Sequence, residues 1–143
     1  EKSHATLVIT NSRVIAKKIK IFISNNAGQK IRCAIYKVNP SGSAFTLDLI
    51  VQTQLYEESG TTGFVDIPFE TITTLDGDAM YYIAIGCSGV QTKFLGKTIK
   101  LMDKHTYAML YSDDAAFETF SFSNTYPQRV ETGDQFIPYF KIL

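Results

Sequence analysis

Apolar and polar residues alternate along several short segments of this chain. The clearest segment is Ile31–Tyr36, which reads I-R-C-A-I-Y and has isoleucine or cysteine at every second position. Lys18–Ile23 has an isoleucine at every second position in the same way. Because successive side chains of a β-strand point to opposite faces, this period of two indicates strands that bury one face. Similar segments predict further strands at Ala5–Thr10, Lys30–Lys37, Phe45–Tyr56, Gly63–Pro68, Met80–Cys87, Val90–Leu95, Tyr107–Tyr111 and Phe136–Ile142.

Turn-forming residues separate the predicted strands at intervals of roughly ten residues. Asn25–Gly28 is a predicted hairpin connection, because asparagine and glycine tolerate positive φ angles. Asp76–Asp78 reads D-G-D and predicts a tight turn. Two segments are ambiguous: Gly96–Lys104 could hold a short helical turn, and Phe117–Phe122 fits neither a helical nor a strand period.

The many short strands, without helices between them, indicate a β-sandwich or a barrel. We predict an all-β fold, an antiparallel two-sheet β-sandwich that is jelly-roll-like. An immunoglobulin-type domain is disfavoured because the chain contains no tryptophan. The 143 residues and the hydrophobic fraction of 45% suffice for one core, so we expect a single domain covering residues 1–143. Because the sequence begins at Glu1, we expect this domain to be excised from a longer chain.

The alternation also assigns side chains to faces. Leu47, Leu49 and Val51 are expected on one face of their strand, and Cys33 and Cys87 on apolar faces of theirs. We expect both cysteines to be buried free thiols, although a disulfide between them remains an alternative at this stage. Free thiols favour assembly in a reducing cytoplasm.

The charge of the chain is balanced, with 14 basic and 14 acidic residues and a formal net charge of +0. A nucleic-acid-binding protein normally carries a basic excess, so we expect no nucleic-acid partner. Arg13, Lys17, Lys18 and Lys20 form a local basic cluster, which we expect to be a solvated strand face. No apolar run approaches the roughly 18 residues of a membrane helix, so we expect no membrane insertion.

Catalytic motifs are missing from the sequence. It contains neither G-x-S-x-G nor a glycine-rich phosphate loop, and its two histidines, His4 and His105, suggest no triad. The acidic pairs lie in predicted turns, where aspartate bonds its own backbone. A calcium site at Asp76–Asp78 is a weaker alternative without EF-hand spacing. We therefore expect a non-catalytic protein with no cofactor and no metal.

Aromatic residues are the strongest remaining signal, with 10 Phe and 8 Tyr. Aromatic rings in loops can stack on sugars, while nearby acids and amides bond the hydroxyls. These residue types predict a ligand site for a neutral or weakly charged glycan, formed by Tyr107, Tyr111, Asp113, Asp114, Asn124 and Tyr126. The alternative is that these aromatics belong to the core or to a subunit interface.

Several segments together resemble a known family. They are I-R-C-A-I-Y-K at 31–37, the small-residue loop Asn39–Ser43, Leu47–Leu49, Y-Y-I-A-I at 81–85 and F-I-P-Y-F-K-I-L at 136–143. This order resembles the β-sandwich domains of bacteriophage tail-fibre, tailspike and related virion structural proteins. The chain differs from their usual pattern by having Tyr82 where tryptophan is common.

The resemblance implies a module of a homotrimeric fibre that is part of the virion and binds a host-surface glycan. A carbohydrate-binding module appended to an enzyme, and extracellular, is the alternative. A purely structural virion protein is also compatible with these residues.

Overall fold

The computed structural model of the protein describes residues 2–24, 28–41, 44–60, 62–88, 93–100, 109–112, 117–118, 121–124 and 134–143. Within these ranges every regular element is a β-strand. The strands are β1 Lys2–Ile9, β2 Val14–Ser24, β3 Lys30–Ser41, β4 Ala44–Gln52, β5 Tyr56–Glu57, β6 Gly63–Leu75, β7 Met80–Cys87, β8 Lys93–Phe94, β9 Gly96–Lys100, β10 Met109–Ser112, β11 Phe117–Glu118, β12 Ser121–Phe122, β13 Asp134–Pro138 and β14 Phe140–Ile142.

Two antiparallel sheets pack against each other, which confirms the predicted two-sheet sandwich. The large sheet has the strand order β10-β1-β7-β3-β4, with β5 paired to β3. The small sheet has the order β14-β2-β6, with β8 paired to β2. The chain passes from one sheet to the other between β1 and β2, β2 and β3, β5 and β6, β6 and β7, and β7 and β8. Two short ribbons, β9–β13 and β11–β12, complete the described strands.

The main core lies between the two sheets. Ile19, Ile21 and Ile23 of β2 are almost fully buried there, as the alternation predicted. Cys33 and Cys87 lie in the same core and are free thiols, in agreement with the sequence. The sandwich therefore buries the predicted apolar faces of both sheets.

A second apolar cluster covers the outer face of the large sheet. Ala5, Ala84 and Ala34 lie side by side across β1, β7 and β3, and all three are fully buried. Tyr36 and Phe122 belong to this cluster, and their rings meet edge to face with centroids 6.2 Å apart. The large sheet is thus buried on both faces, and β7 is buried from Tyr81 to Cys87.

A β-bulge overturns the prediction that Leu47, Leu49 and Val51 share a face. Tyr36 pairs with Leu49, whereas the preceding Ile35 pairs with Val51, so Ile50 is an extra residue in β4. One extra residue exchanges the faces of all residues beyond it. Val51 consequently packs between the sheets, while Leu47 and Leu49 belong to the outer cluster.

Other differences concern strand ends. The possible helical turn after Gly96 is wrong in its described part, because Gly96–Lys100 is a strand paired with β13. Pro68 predicts either an edge strand or a strand end. The described strands confirm the edge, because β6 is the last strand of the small sheet, but β6 continues past Pro68, whose carbonyl accepts a hydrogen bond from the Gln54 backbone. The predicted final strand is split at Tyr139, whose backbone N–H donates to Leu95 at 2.9 Å. Such pairings depend on residues far along the chain, which local periodicity does not contain.

Arg32 joins the sheets at one corner of the sandwich. Its Nε donates to the Thr53 carbonyl at 2.7 Å, and its guanidinium forms an ion pair with Glu70 of β6. Thr53 itself pairs with Phe69 of β6, directly after β4 has ended. These contacts therefore connect β6 to the large sheet. Because β6 is paired with β2, they also connect the rest of the small sheet to it.

Candidate binding surface on the small sheet

The outer face of the small sheet is built by the alternation of β2. Because Ile19, Ile21 and Ile23 point into the core, Lys18, Lys20 and Phe22 point outward. Strand β6 runs antiparallel beside β2, with Phe64 opposite Phe22 and Asp66 opposite Lys20. Strand β14 lies on the other side, with Lys141 opposite Lys20. The register thus places apolar and charged side chains in separate rows across the sheet.

The apolar row consists of Phe22, Phe64, Leu95 and Tyr139. The rings of Phe22 and Phe64 are perpendicular, with centroids 5.0 Å apart. Phe64 is 67% exposed, and Leu95 and Tyr139 are each about half exposed. Leu95 donates its backbone N–H to Phe22 at 3.1 Å, and Tyr139 donates to Leu95, so hydrogen bonds hold the four residues in line. The row is an apolar strip on the solvent side of the small sheet.

The charged row consists of Lys141, Lys20 and Asp66. The Lys20 Nζ lies 3.8 Å from Asp66 Oδ1, but the Lys18 Nζ lies closer, 2.9 Å from Oδ2. The hydrogen bond from Lys18 lowers the pKa of Asp66 below its usual value, so this carboxylate is ionised at neutral pH. The basic cluster noted in the sequence therefore contributes Lys18 and Lys20 to this face.

The two rows together suit a ligand with an apolar face and a polar edge. Neighbouring residues on one face of a strand are about 6.8 Å apart, since each residue rises about 3.4 Å. This spacing separates the apolar row from the charged row. A sugar ring likewise separates apolar from polar groups, with C–H groups on its faces and oxygen atoms around its rim. Aromatic rings would contact the sugar face, and the charged row would contact the rim.

The residues predicted from sequence to bind a glycan are only partly described. Tyr107, Asp113, Asp114 and Tyr126 lie outside the described residues. Tyr111 lies in β10, where it pairs with His4 of β1.

Asn124 is exposed, and its carbonyl accepts a hydrogen bond from the Leu49 backbone of β4 at 2.7 Å. Since β10 and β4 are separated by β1, β7 and β3, the structure does not bring Tyr111 and Asn124 together. The loop site of the sequence analysis stays a prediction.

The sequence contains one signal for the apolar row, at Phe22, which the predicted site did not include. Phe22 stands at an outward position of a strand whose inward positions are all isoleucine. A large aromatic residue at such a position, where lysine stands two residues earlier, indicates an exposed contact. Its neighbours Phe64, Leu95 and Tyr139 were not predictable, because their alignment depends on strand register.

The described residues offer no other obvious chemistry. Among them, no group of three or more His, Cys, Asp or Glu side chains is arranged to hold a metal ion. The same residues include no helix of the length and apolarity needed to cross a bilayer. At the Asp76–Asp78 turn, Asp76 pairs with Lys37 at 3.1 Å and accepts a hydrogen bond from Thr10 at its carbonyl.

Comparison with known proteins gave no relative. No family model matches the sequence, and searches of curated proteins and of solved structures found no match. We therefore infer the function from the surface that the apolar and charged rows form.

Proposed function

We propose that the chain is a non-catalytic module of a bacteriophage virion, of the tail-fibre type, that binds a glycan on the host surface. The sequence resemblance to tail-fibre domains and the two-sheet sandwich support this proposal. The observation that carries it is the apolar row, above all the 67% exposed Phe64 on the outer face of the small sheet. Leaving a large aromatic side chain in water forgoes about 2 kcal/mol of burial energy, so a partner that covers it gains that energy.

A glycan is the partner that suits the row best. Phe22 and Phe64 are fixed in a perpendicular pair, and the nearby Tyr139 adds a further exposed ring. Rings that are already ordered bind at a low cost in conformational entropy. Lysine and aspartate side chains beside them supply hydrogen-bond donors and acceptors for sugar hydroxyls.

The test is glycan-array and host-cell binding of the Phe64→Ala and Tyr139→Ala variants. Each loss of a stacking ring should weaken binding by about 1–3 kcal/mol, by analogy with bases stacked on aromatic rings. Ile9→Ala is the matched control, because Ile9 is as exposed as Phe64 but lies on the large sheet. Thermal unfolding verifies that each variant is folded.

The loop site is tested in the same assay. Tyr111→Ala and Tyr126→Ala should weaken binding if the loops hold the ligand, and should leave it unchanged if the small sheet does. If no variant at either place changes binding, neither surface is the receptor site.

Self-association is the competing explanation of the apolar row. If Phe64→Ala lowers the oligomeric state and the protein binds no glycan, the row is a subunit contact. The module is then a structural virion component. A carbohydrate-binding module of an enzyme would share the glycan contact, and a catalytic domain in the same polypeptide would identify that case.

A further inference from the structure

We propose that the small sheet selects an acidic sugar, with the sugar ring on the apolar row and its carboxylate between Lys20 and Lys141. This inference rests on the proposed glycan-binding function and narrows the class of ligand. It departs from the neutral or weakly charged ligand that the sequence suggested for the loops. Three features of the outer face carry it.

The first feature is a pair of like charges placed directly opposite each other. Lys141 of β14 and Lys20 of β2 are register partners, and both point away from the core because their neighbours Ile19, Ile21, Phe140 and Ile142 pack into it. Side chains directly opposite in an antiparallel pair have Cβ atoms about 5 Å apart, and like charges there repel. An anion bound between the two ammonium groups would turn this repulsion into attraction.

The second feature is the ratio of positive to negative charges in the charged row, as far as the described residues form it. Asp66 is the carboxylate in the charged row, and it lies closer to Lys18 than to Lys20. Three ammonium groups, those of Lys18, Lys20 and Lys141, thus share one carboxylate in a chain whose formal net charge is +0. This excess of positive charge is local, so it favours a ligand with one or a few negative charges.

The third feature is the position of the apolar row. Tyr139 precedes Lys141 by two residues and Phe22 follows Lys20 by two, so both rings lie about 6.8 Å along the strands from the lysines. A pyranose carries its carboxylate beyond the edge of the ring. A uronic or sialic acid can therefore stack on the apolar row while its carboxylate reaches the lysines.

A polynucleotide fits this face less well than an acidic sugar. Asp66 stands within the charged row and would face a phosphate of any strand that followed the row. Binding to nucleic acid also depends on several phosphate contacts in sequence. In the charged row, the described residues place one carboxylate, that of Asp66, among the lysines, so they offer few positions for a run of phosphates.

The experiment compares two oligosaccharides of equal length by isothermal titration calorimetry, an oligouronate from alginate and a neutral oligoglucose. The oligouronate should bind at least about tenfold more tightly, as one lost charge-assisted contact corresponds to about that factor. Lys20→Gln and Lys141→Gln should each remove most of this preference, because they weaken oligouronate binding far more than they weaken neutral binding. Phe64→Ala should weaken both. Lys37→Gln is the control, because Lys37 is an exposed lysine paired with Asp76 elsewhere on the molecule.

A second readout separates a binding role from a structural one. Because Lys141→Gln removes a repulsion, it should raise the Tm of the free protein by about 1 °C at low salt while weakening oligouronate binding. A structural lysine would lower the Tm when it is replaced. Salt should weaken oligouronate binding strongly between about 20 and 300 mM, across which screening becomes short-ranged.

Each outcome decides the inference. Equal affinity for both oligosaccharides, unaffected by the lysine variants, overturns it and leaves the glycan-binding function in place. Tight binding of a single-stranded oligodeoxynucleotide in place of oligouronate assigns the face to nucleic acid and also overturns it. If neither oligosaccharide binds, the inference fails, and host-cell binding of the Phe64→Ala variant then decides the proposed function separately.

Discussion

Cys33 is fully buried between the two sheets. Its thiol stands in an apolar environment where a thiolate has neither water nor a cation to stabilise it. Burial therefore raises the pKa of the Cys33 thiol far above its ordinary value of 9.0. The residue acts in the native protein as a small apolar side chain.

This burial makes stability depend on alkaline pH. Above pH 9 the thiol loses its proton in the unfolded chain but keeps it in the native protein, so the unfolded state binds fewer protons. The free energy of unfolding should therefore fall as pH rises, by up to about 1.4 kcal/mol per pH unit from this group. Urea denaturation of the parent and of Cys33→Ala at a series of pH values measures the effect as a difference in slope.

Thiol titration provides the control for this prediction. Two thiols should react in denaturant and Cys33 should be protected in the native protein, because both cysteines are buried and free. A count of zero in denaturant would reveal a disulfide, and equal pH slopes for parent and variant would contradict the argument from burial.

At the scale of elements, β12 and the two residues after it are bound to the outer face of the large sheet. The Tyr36 hydroxyl donates to the Ser123 carbonyl at 2.5 Å, and the Gln52 side chain accepts from the Phe122 backbone at 3.1 Å. Phe122 is buried against the same face. The segment Ser121–Asn124 is thus a clamp on the outer face.

Two substitutions that remove contacts of the Ser121–Asn124 segment should destabilise the protein by different amounts. Tyr36→Phe removes one hydrogen bond and should cost about 1 kcal/mol, while Phe122→Ala leaves a cavity and should cost about 3 kcal/mol. Phe64→Ala should cost much less, because Phe64 is largely exposed. Urea denaturation measures all three, and a Phe122→Ala cost no larger than that of Phe64→Ala would show that the clamp contributes little.

The elements differ in how far local sequence predicts them. Lys18–Ile23 and Met80–Cys87 were predictable because their period of two is complete within each segment. The bulge at Ile50 was not, because it exists only through the pairing of β4 with β3. The candidate surface is harder still, since Lys20 meets Lys141 and Phe22 meets Phe64 through register between distant strands. The alternation of apolar and polar residues predicts that Phe22 lies on the outer face of its strand. It does not predict which residues of other strands lie beside Phe22.

At the scale of the whole molecule, the exposed apolar residues and the balanced charge favour contact between copies. A net charge of zero provides no long-range repulsion, and Phe64 and Ile72 present large apolar side chains to solvent. Both residues belong to β6, which pairs with β2 on one side. Copies of the protein can therefore approach one another at the small sheet.

The resemblance to fibre domains leads us to predict that the full-length protein is a homotrimer. Light scattering of that protein measures its mass directly. A monomeric full-length protein would refute the prediction, and a Phe64→Ala variant that stays trimeric would exclude the apolar row from the subunit contact.

The pairing of β1 with β7 has a consequence for synthesis of the protein on the ribosome. Lys2 is paired with Cys87 and Ile9 with Met80, so β1 leaves the exit tunnel long before its partner has been translated. Until β7 emerges, the nascent chain presents β1 with open backbone groups and apolar side chains. Folding must wait for a distant partner, which slows it relative to a chain built from hairpins. Strand β1 is thus translated before the other described strands of this domain but completes its pairing late, and chaperones that shield nascent chains would act there.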